Sequence, residues 1–144
     1  MYTCTCKHIL GHTGTIVRIS PYKSEGKGGF ARPDTTHAVP IPCMYRGKHC
    51  NDSEPGAAYA KHVKDAVDKI KSEGRAPAAW FCEGLLSTAG YVPLPPDYLK
   101  EVYQYIRAEG GVCVSDEVQV CTLGLGAGVC GGCCVWTSHL REYH

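Results

Sequence analysis

The sequence predicts an α/β fold built on a mostly parallel sheet. Three observations carry that expectation. Two short apolar runs, Ala78 to Cys82 (AAWFC) and Val112 to Val114, have the length and continuous apolar character of strands buried on both faces. Between them, Leu99, Val102, Tyr103 and Ile106 recur at helical spacing and share one face. Strand, loop, helix, strand is a βαβ unit. Its crossover is right-handed, and its two strands run parallel in a sheet covered on both faces.

The remaining elements follow in order. Residues 1–50 are rich in Gly, Pro and Thr. Ile16 to Ile19 reads as a short strand closed by Ser20-Pro21. Lys23 to Pro42 contains GKGG and three prolines and reads as a long irregular excursion, a kind of segment that is often functional. Ala57 to Glu73 reads as a helix, because Tyr59, Val63, Val67 and Ile70 repeat on one face with Lys and Asp on the others. Asp52 and Glu54 lie near the positive end of its dipole, and Gly74 suits its stop. Glu83 to Pro95 reads as a loop running into PLPP. Pro96-Asp97 starts the second helix, and Gly110 ends it.

With 144 residues, 44% of them hydrophobic, the chain has material for one domain with a real core. Net charge is +1 and no Lys/Arg run is present, which argues against nucleic acid as a partner. No stretch approaches the roughly 18 apolar residues of a membrane span. MYTCTCKHIL is too short and polar for a secretory signal. Ten cysteines in a chain without a secretion signal point to a reducing compartment and mostly free thiols.

The second strand runs into Ser115-Asp116-Glu117-Val118-Gln119. In open α/β sheets ligands bind past the carboxyl ends of the strands, so Asp116 is expected just beyond such an end, at the ligand edge. A solvated strand end, or the N-cap of a following helix, explains the same residues.

The run AAWFCEGLLSTAGYVPLPPDYLKEVYQYIRAEGGVCVSDEVQV resembles the middle of class III pyridoxal-phosphate aminotransferases. GHTGTIVRISPYKS and MYRGKHC resemble the branch that holds the ethanolamine-phosphate and phosphohydroxylysine phospho-lyases, relatives of alanine–glyoxylate aminotransferase 2. The resemblance covers roughly Gly11 to Val120. Its motifs are specific in combination: an acid after the first strand, Pro-Pro before the helix, and Asp-Glu-Val-Gln after the second strand.

The resemblance implies a fragment of the large domain of a fold-type I pyridoxal-phosphate enzyme over residues 1–120. It implies pyridoxal 5'-phosphate as cofactor, a small amine or amino acid as substrate, and transamination or phosphate elimination from an amino-alkyl phosphate as activity. Intact relatives are homodimers, mitochondrial or cytoplasmic. Asp116 would keep the pyridine nitrogen protonated, since an opposite charge favours the charged form. Gln119 would bond the ring's phenolic oxygen. Glu83 would help shape the substrate pocket, although an ordinary strand-end acid accounts for it as well. Glu117 would lie beside the cofactor with no assigned chemistry. The family's Tyr-His-Gly-His-Thr is represented by Ile9-Leu10-Gly11-His12-Thr13. Ile9 replaces the aromatic that stacks on the ring, and His12 is expected to be structural.

Three family features have no counterpart here. They are the phosphate-binding Gly-Ser segment, the Schiff-base lysine and the C-terminal small domain. No lysine follows Lys100, so no catalytic residue is assigned and this chain alone is not expected to turn over.

Residues 121–144 form a Gly/Cys-rich tail unlike the family, which continues Gly-Phe-Gly-Arg. Leu123-Gly124-Leu125-Gly126-Ala127 is encodable as TTG GGT TTG GGC GCN, and the same bases read from the third position give Gly-Phe-Gly-Arg. A frame-shifted tail follows. It is expected to fold poorly and to leave Asp116 and Gln119 beside an uncovered sheet edge. Cys130, Cys133 and Cys134, with Cys4, Cys6, His8 and His12, offer a zinc reading, but the spacing is irregular and no metal ligand is assigned. Two other readings stand beside the enzyme fragment: a non-catalytic partner of a full-length homologue, and a small Cys-rich metal-binding protein.

Overall fold

The computed structural model describes residues 2–3, 14–20, 28–29, 31–86, 89–116 and 133–136. The elements in chain order are β1 (Tyr2–Thr3), α1 (Gly14–Ile19), β2 (His37–Ala38), α2 (Pro55–Ser72), β3 (Ala79–Glu83), β4 (Leu85–Leu86), β5 (Val92–Pro93), α3 (Tyr98–Ala108), β6 (Val112–Asp116) and β7 (Cys133–Trp136). The main sheet runs β2-β1-β3-β6-β7; the first four strands are parallel, and β7 joins β6 antiparallel. The α/β, mostly parallel expectation therefore holds.

β2, β3 and β6 succeed one another in the same direction across the sheet. Right-handed crossovers in one direction leave the sheet on one face, which puts α2 and α3 together. They pack through Tyr59, Val63, Val67 and Ile70 of α2 and Tyr98, Val102 and Ile106 of α3, onto Trp80, Cys82 and Cys113. Trp80 and Cys82 are two apart on β3, and Cys113 is the register partner of Trp80, so all three point to the helix side. Both helices lie on one side of the sheet; on the other side Ala79, Val114, Glu83 and Asp116 are buried, and Val112 at the start of β6 is 39% exposed.

Several boundaries move. Residues 16–19 form part of a helix, not a strand. Ile and Val favour strands only weakly, and a strand would set Val17 and Ile19 on one face; the helix instead buries Ile19 and leaves Arg18 exposed. The excursion after Lys23 includes β2, which pairs with β1. The expected loop from Glu83 holds an antiparallel ribbon, Leu85 opposite Pro93 and Leu86 opposite Val92. Leu86 is fully buried, which gives the ribbon an apolar anchor that a plain loop would lack. Pro55 opens α2 two residues early, as its fixed φ and missing N–H allow. Asp97 precedes α3 in the left-handed region, φ 60°.

The edge expected beside Asp116 is not bare. β7 pairs with β6 from Cys113–Trp136 to Asp116–Cys133. Its sequence, CCVW, is the one run in the tail free of glycine and rich in strand-favouring residues, so it satisfies the open hydrogen-bonding groups of β6.

The two helices meet closely at Gly56 in the first turn of α2. A Cβ there would strike the Pro96 carbonyl and crowd the Tyr98 N–H. Gly56→Ala should therefore destabilise the chain by about 1–3 kcal/mol, although alanine is the better helix former. A urea midpoint that stays level or rises would contradict this packing.

Candidate functional site

The register of β3 on β6 sets Glu83 directly opposite Asp116, each the last residue of its strand. Parallel neighbours lie about 4.8 Å apart, so two carboxyl groups share one corner of the sheet's carboxyl edge. Both are buried, Glu83 at 2% and Asp116 at 5% exposure. Burying an acid is costly without compensating partners or charges, so two at one corner mark a place built for polar chemistry. Asp116 was expected just past the strand; it is instead the final strand residue, so its backbone is tied into the ladder and its position is rigid. Cys82 donates its thiol hydrogen to the Glu83 carbonyl at 3.1 Å. Gln119, Glu117, Ile9 and His12 lie outside the described residues, as do Cys130 and the N-terminal cysteines.

The same edge carries a feature the sequence did not suggest. The turn after β2 and the β4–β5 ribbon border a cavity of about 830 Å³, lined among others by Ile41, Cys43, Met44, Tyr45, Tyr91 and Val92. Tyr45 and Tyr91 stand on its rim, 81% and 68% exposed. The signal available in the sequence was a pair of tyrosines in segments with no amphipathic period; only the ribbon brings them together.

The thiols here differ in chemistry. The Arg46 N–H points at the Cys43 sulfur at 3.3 Å. With the Tyr45 N–H it holds the Cys43 thiol below the usual range, against a small opposing effect of burial. Burial pushes Cys113 up to about 11, although Arg107 nearby pulls the other way. Among the described residues, no group of three or more His, Cys, Asp and Glu side chains is arranged to hold a metal ion. No helix among them is long and apolar enough to cross a membrane.

No family model matches the chain. An alanine–glyoxylate aminotransferase 2-like protein of Drosophila melanogaster is 39% identical over 114 residues, 76% of this chain and 23% of that protein. Ethanolamine-phosphate phospho-lyase homolog 1 of Caenorhabditis elegans is 36% identical over 119 residues, 76% of this chain and 26% of that one. The matched stretch is homologous to the class III pyridoxal-phosphate aminotransferases. The chain spans about a quarter of the length of these curated relatives. The fold agrees: a phospholyase from Arthrobacter, solved in complex with phosphoethanolamine, superposes with a TM-score of 0.67 at 22% identity, over 83% of this chain and 28% of that one. The Glu83–Asp116 corner lies on the carboxyl edge where the sequence placed the ligand side.

The thiol contrast predicts an order of modification, since the thiolate is the reacting form. Brief iodoacetamide treatment of the native chain at pH 8, read by peptide mass spectrometry, should label Cys43 at least about tenfold faster than Cys113. Equal rates would contradict the burial of β6.

Proposed function

We propose that residues 1–120 carry one wall of a pyridoxal-phosphate site, with Asp116 as the carboxylate at the ring nitrogen. The observation that carries this reading is the placement of Asp116: buried, last in a parallel strand, level with Glu83, in a class III stretch. A rigid carboxylate suits that task, because it must hold a proton on the ring nitrogen without moving. The residues present fit the cofactor on this side of its ring. When bound, the cofactor supplies an electron sink for a substrate carbanion. Asp116 would keep the sink charged. Gln119 would bond the phenolic oxygen, and Glu83 would shape the substrate side of the pocket.

The intact protein would act on a small amine or amino acid, by transamination or by elimination of phosphate from an amino-alkyl phosphate, as a homodimer. The names of its relatives support both activities. Two relatives, from Pongo abelii and Homo sapiens, are named as mitochondrial, and we place the intact protein in mitochondria or cytoplasm. No lysine follows Lys100 within these 144 residues, so we assign no Schiff-base anchor among them and read them as inactive by themselves. We read residues 121–144 as translated out of frame; sequencing the transcript tests this, and a DNA sequence without Gly-Phe-Gly-Arg in the shifted frame rejects it.

Pyridoxal phosphate added to the full chain, followed by borohydride reduction and peptide mapping, should label no lysine stoichiometrically. Stoichiometric labelling of one lysine, for instance Lys23 or Lys48, together with turnover of an amine, would overturn the inactive reading.

A further inference from the structure

Away from the carboxylate corner, the turn after β2 brings His49 against His62 of α2. Their Nε2 atoms are 2.9 Å apart. Behind His49, Nδ1 lies 2.6 Å from the Asp52 carboxylate. The arrangement is held from below by Tyr59, which is 1% exposed. Its hydroxyl donates to the Cys43 carbonyl at 3.0 Å and accepts the His49 N–H at 3.3 Å, clamping the turn onto α2. The His49 ring meets the Tyr59 ring edge-on at 4.8 Å. His62 is three residues beyond Tyr59, hence on the same side of the helix. Both rings are therefore placed before any ligand arrives.

The protons follow from the partners. A carboxylate only accepts, so His49 carries its hydrogen on Nδ1 and its Nε2 is a lone pair. His62 must then donate from Nε2 to His49. Two imidazole nitrogens converge on one point, and a carboxylate orients the first ring from outside. That is the carboxylate–histidine–metal pattern with a proton at the metal position. Burial first, and then nearby positive charge with Lys48 foremost, hold His62 below the usual imidazole range, against Asp65.

We propose that His49 and His62 form a transition-metal site, in which a divalent ion of the zinc kind takes the place of the proton between the two Nε2 atoms. Two ligands at about 2.0–2.1 Å in tetrahedral geometry stand roughly 3.3 Å apart, so the rings need to separate by only a few tenths of an ångström. Water completes the coordination, since His49 is open to solvent at 18%. Binding keeps the His49 hydrogen on Nδ1 and its bond to Asp52. The His62 hydrogen leaves Nε2 and a hydrogen returns on Nδ1, so that ring changes tautomer with no net proton released.

The tautomer change is a readout the ten cysteines do not confuse. The full chain, labelled with ¹⁵N-histidine, is titrated with zinc at pH 7.5 and followed by NMR. His62 should switch from Nε2–H to Nδ1–H, while His49 keeps Nδ1–H and shifts only at Nε2. Asp52→Asn should raise the zinc needed by about tenfold or more. His62→Gln should abolish the response of His49. The proposal fails if zinc leaves both rings unchanged and goes only to thiols, or if His49 responds equally in His62→Gln. The wild-type titration decides the matter even where a variant folds poorly.

Discussion

Five residues of parallel pairing between β3 and β6 constrain everything else in the molecule. Side chains along a strand alternate in direction, so this register settles two matters together. It aims Trp80, Cys82 and Cys113 at the two helices. It also places Glu83 and Asp116 side by side at the carboxyl edge, on the other face. A slip of one residue would turn Asp116 toward the core and Cys113 away from it. The packing of α2 and α3 on the apolar row therefore holds the carboxylate corner in place, although neither helix supplies one of its acids.

Much of this was legible in the sequence because the signals were local. The apolar runs of β3 and β6 and the helical periods of Tyr59–Ile70 and Leu99–Ile106 each survive as single elements. So does the position of Asp116 at a strand's carboxyl end, displaced by one residue from the expectation. What escaped depends on distant partners. β2 is two residues long and exists only because β1 lies beside it. The β4–β5 ribbon has no alternating pattern and relies on the burial of Leu86. Residues 16–19 have strand-like composition, yet burying Ile19 favours a helix.

The same distinction separates the two chemical sites. The Glu83–Asp116 corner could be anticipated because each acid ends a recognisable strand. His49 and His62 are 13 residues apart, across a turn and a helix, and no spacing rule joins them. Only the Tyr59 hydroxyl, bonded to both ends of the turn, turns sequence separation into contact. Tyr59 reads from sequence as an apolar position on α2, and its polar tip is what organises the neighbouring histidines.

β7 bears on the lifetime of such a chain in a cell. A parallel strand left open at a sheet edge is a template that another molecule can extend. A short strand paired antiparallel with β6 covers that template with backbone bonds, which depend little on which side chains accompany them, and passes the edge to a strand of only four residues. Almost any terminal stretch with a few non-glycine, strand-favouring residues can perform this duty. A sheet whose last parallel strand is met by such a segment thus exposes less of itself to other copies.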